Sequence, residues 1–246
     1  MHPATLIISA IIEVDRWCKE YKIPDDHGFI HALDVMRNAS LALQDYDLEK
    51  IEELLVLLAA LLHDINDRKY VPSENYEGVR MILSKIGLTS SYAEIVVTMI
   101  NLVSCSKNGN TIDELVPKWY YIPRDADRLE ALGYIGIKRA YETTIGFINQ
   151  GKTPNRFWTD ETIRCKNREE LEITASRERL NEYTKIGKSQ CFIDHFYDKL
   201  LHIKHLSSGS SSLQTIADQR HEIMVEFVIE FGINSTINWN RWLKET

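Results

Sequence analysis

Residues 52–65 read EELLVLLAALLHDI, and this stretch decides the fold of the 246-residue chain. Its nine consecutive apolar residues, Leu54 to Leu62, would cover every side of an α-helix. A helix that is apolar all round usually lies at the centre of a bundle. Nine residues are also far fewer than the roughly 20 that a membrane-spanning helix requires. The stretch therefore predicts the central helix of a soluble protein, with His63 and Asp64 at its C-terminal end.

The rest of the chain shows helical periodicity, with apolar residues recurring every three or four positions. Further helices are predicted at 7–21, 27–43, 76–86, 91–103, 125–144, 168–183, 192–206 and 213–231. Neither a strand pattern nor an internal repeat is evident. The sequence thus predicts an all-α helical bundle formed by one domain, residues 1–246. Its core would span about 20–145, and a C-terminal helical extension would span about 146–246.

Composition and charge limit the class of protein and its partners. Hydrophobic residues make up 44% and charged residues 26%, as in ordinary globular proteins. The formal net charge of -7 argues against nucleic acid as a partner, although a local group of cations could still bind a small anion. The four cysteines form no CxxC pair, and the N-terminus lacks the basic start of a signal peptide. A cytoplasmic protein without a membrane partner is predicted; the oligomeric state stays open, with a homodimer as one option.

Three pairs of polar residues stand at the ends of predicted helices. They are His27 with His31, His63 with Asp64, and Asp125 with Asp127. The first pair is four residues apart on one helical face, and the last pair opens a third helix. Imidazoles and carboxylates that converge from separate helices form a divalent-metal site. Each pair also has a structural interpretation, since histidines near helix ends are often only hydrogen-bonded and aspartates suit a helix N-terminus.

The same stretches, in the same order, resemble the HD-domain superfamily of metal-dependent phosphohydrolases. They read HGFIHALDV at 27–35, LLHDI at 61–65 and DADRLEALG at 125–133. Two C-terminal stretches, IDHFYDKLL at 193–201 and Arg220-His221, look closest to stand-alone bacterial-type members with nucleotide pyrophosphatase or phosphohydrolase activity. The resemblance implies an HD-domain helical bundle and an enzyme.

By this resemblance, one divalent metal ion would be bound by His31, His63 and Asp64 and by an aspartate of the third stretch. The last ligand in the superfamily usually follows a small residue and precedes a basic or apolar one, which favours Asp127. Asp125 stays open as the alternative ligand and is otherwise a candidate for substrate binding. Two imidazoles and two carboxylates suit manganese, iron, magnesium or zinc, and manganese or magnesium is expected in use.

The resemblance also implies two catalytic residues. Asp67 stands three residues after Asp64, where the superfamily often carries an acid, and is the candidate for general acid–base work. A solvated acid in an exposed turn is its structural alternative. His27, in an H-x3-H arrangement, is expected to contact the phosphate or a second metal. Cations that could bind the phosphates are Lys69, Lys107 and Arg128.

The reaction implied is hydrolysis of a phosphate ester or anhydride in a small phosphorylated molecule, namely a nucleotide. Cleavage of a nucleoside triphosphate to monophosphate and pyrophosphate is the first expectation, and it rests on the resemblance to the stand-alone members. The enzymatic alternatives are a nucleoside monophosphate phosphatase and a cyclic-nucleotide phosphodiesterase. A non-catalytic helical module that binds a nucleotide is the alternative outside enzymology.

Overall fold

A computed structural model of the protein describes residues 2–24, 27–67, 71, 75–104, 111–152 and 156–243. Within these residues every regular element is a helix, which confirms the all-α prediction. The α-helices are α1 (Pro3–Tyr21), α2 (Phe29–Ala42), α3 (Lys50–Leu62), α4 (Glu77–Lys85), α5 (Ser90–Val103), α6 (Ile122–Leu129), α7 (Gly133–Asn149), α8 (Arg168–Thr174), α9 (Arg177–Ile186), α10 (Phe192–Asp198), α11 (Ser211–Asn234) and α12 (Trp239–Trp242). Short 3-10 helices lie at Leu43–Asp45, Lys118–Tyr121 and Leu200–His202. None of the described helices combines the length and the apolar character needed to cross a membrane.

The chain divides into two compact units. The first comprises Met1–Ser104, Ile112–Asp127 and Ser207–Leu213, and the second comprises Cys105–Thr111, Arg128–Leu206 and Gln214–Thr246. The change of unit after Asp127 comes earlier in the chain than residue 146, where the C-terminal extension was expected to begin. The assignment of a single domain stays a prediction.

Helix α3 is the centre of the first unit. It packs against α1, α2 and α5, and every residue from Leu54 to Leu62 except Leu57 is buried. Its N-terminus carries a capping box, in which the side chains of Glu49 and Glu52 each accept a bond from the other's backbone N–H. The prediction of a central apolar helix is therefore confirmed. The helix ends at Leu62, however, rather than continuing to residue 65.

Several predicted helices have different bounds in the structure. The predicted helix at 27–43 begins at Phe29, because Gly28 is its N-cap and has extended backbone angles. The predicted helix at 125–144 is two helices, α6 and α7. Gly133, at the start of α7, has a φ of +70°, a left-handed conformation that glycine adopts without strain.

The C-terminal half shows the same kind of difference. The predicted helix at 168–183 is interrupted between α8 and α9, and the side chain of Ser176 accepts a bond from the backbone N–H of Arg179 to cap α9. The predicted helix at 192–206 ends at Asp198 and is followed by the 3-10 turn. Apolar periodicity continued across both breaks, so it could not reveal them.

The core of the second unit is aromatic. Neighbouring ring centroids in it lie 4.8–5.9 Å apart, at separations typical of packed aromatic pairs. The rings belong to Phe157, Phe192, Phe196, Phe227, Trp239 and Trp242. Beside this core, the guanidinium of Arg220 donates to the carbonyl of Leu129 at 2.6 Å and pairs with the buried Glu130 at 3.3 Å.

His221, next to Arg220 on α11, should make the second unit sensitive to acid. Its side chain is 6% exposed, and its Nδ1 has no hydrogen-bond partner among the described residues. Burial, together with the positive charge of Lys204, lowers the pKa of His221 to about 4. The same imidazole titrates near pH 6.5 in an unfolded chain. As the pH falls from about 6.5 to about 4, the unfolded state takes up the proton first, so the free energy of unfolding decreases, by on the order of 3 kcal/mol.

We expect His221→Gln to flatten this pH dependence. Urea unfolding at pH 7 and pH 4.5 would measure it, because the difference between the two free energies should shrink in the variant. His2→Gln is the control, since His2 is an exposed histidine and is not among the groups that shift the pKa of His221. An unchanged difference in His221→Gln would contradict the assignment of the acid sensitivity to this imidazole.

Candidate metal centre

Three elements of the first unit bring four side chains to one point. His31 lies on α2, His63 and Asp64 lie in the turn after α3, and Asp127 lies on α6. The Nε2 atoms of His31 and His63 are 3.3 Å apart. Asp127 Oδ1 lies 3.3 Å and 3.7 Å from these two nitrogens, and Asp64 Oδ2 lies 3.7 Å and 3.4 Å from them. The structure thus brings together the four residues that were expected to hold a metal.

The two histidines form the dry side of this cluster and the two aspartates its accessible side. The side chains of His31 and His63 are 3% and 1% exposed, whereas those of Asp64 and Asp127 are 22% and 30% exposed. His63 Nδ1 lies 2.8 Å from the carbonyl oxygen of Ala60, which can only accept a hydrogen bond. The Nδ1 atom therefore carries the proton, and in the neutral ring Nε2 keeps its lone pair toward the cluster.

The electrostatics of the cluster favour a positive charge at its centre. Burial alone would lower the pKa of His63, but the charges of Asp64 and Asp127 raise it to about 9. Burial alone would raise the pKa of Asp64, but the neighbouring His63 and His27 lower it. The pKa of Asp127 is likewise well below its usual value, because hydrogen bonds from His31 and His63 outweigh its burial. Without a metal, a protonated histidine supplies the positive charge between the two carboxylates. A bound metal cation could supply that charge instead.

The donor atoms fit a divalent metal ion in chemistry and in spacing. Two atoms bound to one ion at about 2.0–2.3 Å stand roughly 3–3.7 Å apart in tetrahedral or adjacent octahedral positions. The five separations that involve a histidine nitrogen, 3.3–3.7 Å, fall in that range, whereas Asp64 and Asp127 do not belong to one group of ligand atoms within 4.8 Å. A set of two imidazoles and two carboxylates suits manganese, iron or zinc, while magnesium prefers oxygen ligands alone. His31, His63 and Asp127 also form a group whose ligand atoms all lie within 4.8 Å of one another.

His27 and Asp67 lie against the same Asp64. His27 Nδ1 is 2.9 Å from Asp64 Oδ2, and ligand atoms of His27, Asp64 and Asp67 all lie within 4.8 Å of one another. The prediction that His27 lies on the same helix as His31 is wrong, because α2 begins only at Phe29. The His27 ring nevertheless lies near the His31 ring, with the centroids 6.1 Å apart, because the loop before the helix brings it to the same Asp64.

Asp67 reaches its place through a turn, although continuation of the helix was expected. The backbone N–H of Ile65 donates to Leu62, and that of Asp67 donates to Asp64 at 3.0 Å. Bonds of this i to i+3 kind tighten the chain after α3. Asp67 therefore lies near Asp64, as predicted, but a turn brings it there and not a continued helix. Its catalytic role stays a prediction.

Asp125 lies on the opposite side of α6 from the cluster. It is fully buried, and its Oδ2 accepts from the backbone N–H groups of Ser207 at 2.8 Å and of Ser208 at 2.6 Å. Residues two apart on a helix project in nearly opposite directions, so Asp125 and Asp127 cannot serve one ion together. The geometry favours Asp127 as the ligand, and it gives Asp125 a structural contact in place of the expected substrate contact.

Of the three cations expected to bind phosphate, the structure describes only Arg128. Lys69 and Lys107 lie outside the described residues. Arg128 is described and buried, and it belongs to the second unit. Its contact with a substrate stays a prediction.

The structure also adds residues that the sequence analysis did not name. Asn38 of α2 donates from Nδ2 to the carbonyl oxygen of Ala126 at 3.3 Å. Trp17 of α1 donates from Nε1 to the carbonyl oxygen of Ile65 at 3.0 Å, directly behind the turn that carries Asp64. One signal was present: Asn38 is a polar residue among the apolar positions of α2, and buried polar side chains need a partner.

Relatives of this chain are found by sequence. Comparison with protein-family models gives no match. The uncharacterized protein L803 of Acanthamoeba polyphaga mimivirus is 37% identical over 221 residues, which cover 83% of this chain and 88% of L803. The uncharacterized protein YpgQ of Bacillus subtilis is 26% identical over 201 residues, covering 79% of this chain and 78% of YpgQ.

Similar folds are found among solved structures. An HD-superfamily hydrolase from Bacillus thuringiensis has a TM-score of 0.61 at 25% identity, covering 94% of this chain and 96% of that chain. YpgQ of Bacillus subtilis, solved in complex with ADP, has a TM-score of 0.60 at 19% identity, covering 95% and 97%. Each similarity extends over nearly the whole length of both proteins.

Proposed function

This chain belongs to the HD-domain superfamily of metal-dependent phosphohydrolases, and we propose that it cleaves a nucleoside triphosphate to a monophosphate and pyrophosphate. Because the chain belongs to this superfamily, the protein is a metal-dependent hydrolase. The nucleotide substrate and the position of the cleaved bond are the further steps proposed. The observation that carries the proposal is the buried cluster of two imidazoles and two carboxylates in the first unit.

A single divalent ion would be held by His31, His63, Asp64 and Asp127. Such an ion lowers the pKa of water and offsets the negative charge that develops on phosphoryl oxygens. The chain itself supplies a dry floor for the site, because both imidazole rings are buried. It also fixes one ring through the bond from His63 Nδ1 to Ala60.

Two further side chains would act on the reacting groups. His27, whose Nδ1 lies 2.9 Å from Asp64 Oδ2, would contact the phosphate or a second metal. Asp67, partly exposed and beside both residues, would accept a proton from the attacking water. The oxygen of that water forms a bond to the α-phosphorus while the bond from this phosphorus to the bridging oxygen breaks. Pyrophosphate then leaves with the electron pair of the broken bond.

Support for a nucleotide comes from chemistry and from a relative. YpgQ, which is similar to this chain in sequence and fold, has been solved with ADP. Lys69, Lys107 and Arg128 remain the candidates to contact the phosphates, since lysine acts as a positive point charge and arginine can bind two phosphate oxygens at once. The alternatives are a monophosphate phosphatase, a cyclic-nucleotide phosphodiesterase and a non-catalytic nucleotide-binding module.

An assay of the metal-reloaded protein separates these functions. The protein is stripped with EDTA, reloaded with Mn²⁺ or Mg²⁺, and given nucleoside triphosphates, monophosphates and cyclic nucleotides in separate reactions. We expect equal amounts of monophosphate and pyrophosphate from triphosphates, and neither product from the stripped protein. Release of phosphate from monophosphates, or opening of cyclic nucleotides, would replace the proposal by the corresponding alternative. No product with any nucleotide and either metal would favour the binding module.

A further inference from the structure

We propose that Asn38 and Asp125 are positioning residues that hold α6 so that Asp127 faces His31 and His63. The inference rests on the proposed metal centre and adds the residues that set its geometry. It is carried by hydrogen bonds on both sides of one short helix, at residues that belong to the first unit.

Helix α6 needs external support to present Asp127 at a fixed place. It has eight residues and is therefore about 12 Å long. Helices this short have little stability of their own in water. It does not continue into a longer α-helix, because the 3-10 helix Lys118–Tyr121 precedes α6 and the break before Gly133 follows it.

Asn38 links α6 to the helix that carries His31. It lies seven residues after His31 on α2, two turns along, and so on the same side of that helix. Its buried side chain donates to the carbonyl oxygen of Ala126 at 3.3 Å. Ala126 directly precedes Asp127, so this bond ties the backbone at one ligand to the helix of another.

Asp125 holds the other side of α6. Its carboxylate accepts the backbone N–H groups of Ser207 and Ser208, and the adjacent Arg124 donates to the hydroxyl of Ser207. The hydroxyl of Tyr46 donates to the carbonyl oxygen of Ser208. Burying a carboxylate costs folding free energy unless it accepts such hydrogen bonds, so these bonds hold the fully buried Asp125 in place.

The serine segment, residues 207–212, is itself anchored at the end of α2. Asp45, in the 3-10 turn after α2, accepts from the hydroxyl of Ser210 at 2.5 Å and from the backbone N–H of Ser212 at 2.9 Å. Both supports of α6 therefore lead back to α2. Asn38 makes the link directly, and Asp125 makes it through the serine segment.

Positioning matters here because metal ligands tolerate displacements of only about 0.2 Å. Residues that orient metal ligands without touching the metal typically change metal affinity by 10–100-fold when they are replaced. We expect Asn38→Ala and Asp125→Ala each to weaken Mn²⁺ binding by about that factor in titration calorimetry. The kcat for nucleotide hydrolysis should fall while the KM for the nucleotide changes little. Asp125→Asn should recover much of the loss, because its amide oxygen can accept the same N–H groups.

Ile82→Ala is the matched control for general loosening of the unit. Ile82 is buried in α4, whose main packing partners are α1 and α5. It should lower the melting temperature and leave Mn²⁺ affinity unchanged. A second test compares the single variant Asp127→Asn with the double variant Asp127→Asn/Asn38→Ala. The double variant should bind Mn²⁺ no more weakly than the single one, since Asn38 would act through Asp127.

The outcomes separate this inference from the proposed function. Wild-type affinity in both alanine variants, or an equal loss in Ile82→Ala, would overturn the positioning role while the metal centre stands. If Asp125→Ala does not fold, Asn38→Ala and Asp125→Asn still decide the question. A wild-type protein that binds no Mn²⁺ would overturn the metal centre and the positioning role together.

Discussion

His63→Ala is expected to abolish metal retention and turnover while leaving the helical circular dichroism nearly unchanged. The Nε2 atom of His63 lies within 3.3–3.7 Å of the three other donor atoms, so its loss removes the centre of the cluster. His31 then remains as the one buried imidazole beside Asp64 and Asp127. A divalent ion would keep only three of its four proposed protein ligands and would lose a nitrogen donor on the buried side of the cluster.

Metal content after gel filtration, measured by plasma mass spectrometry, is the direct readout for this variant. Turnover of the triphosphate gives the second readout, and we expect it to fall below detection. His202→Ala is the matched control, since His202 is a histidine of the second unit whose Nε2 contacts the carbonyl oxygen of Tyr197. Its metal content should equal that of the wild type. Wild-type metal content or activity in His63→Ala would refute the assignment of the site.

The sequence was most informative at residues 54–64, where buried apolar residues are followed directly by candidate metal ligands. The apolar run before His63 identified α3 as the central helix, because only a helix surrounded by others can be apolar on all sides. The dipeptide at its end was then expected next to the interior of the bundle, and His63 is buried there while Asp64 is partly exposed. The identity of the four clustered residues followed from the resemblance to the superfamily and not from spacing alone.

The choice between Asp125 and Asp127 shows why the rest could not be predicted. Both residues are aspartates at the start of one predicted helix, and local pattern treats them alike. The distinction depends on Ser207 and Ser208, which lie about 80 residues later and cover only Asp125. The serine segment itself reads as a low-complexity loop, although its backbone supplies buried hydrogen bonds. Helix breaks such as the one before Gly133 were missed for a related reason, since apolar periodicity continues through them.

Asp67→Asn is expected to retain the metal and to lower kcat by on the order of 10²–10⁴-fold, the usual contribution of a general acid or base. The amide has nearly the same shape as the carboxylate but cannot accept a proton from water at neutral pH. Asp67 neighbours His27 and Asp64, and the proposed set of four ligands is complete without it. Its loss should therefore affect the reaction more than the binding of the ion.

Measurement of kcat together with Mn²⁺ content decides between the roles open to Asp67. Asp47→Asn is the control, since Asp47 is an exposed aspartate of the same unit and should keep both values. A loss of metal in Asp67→Asn would make Asp67 a ligand, and a wild-type kcat would make it a solvated acid in a turn. A lower kcat with full metal content is the only result that fits a proton acceptor, because such a residue acts on water and contributes little to holding the ion.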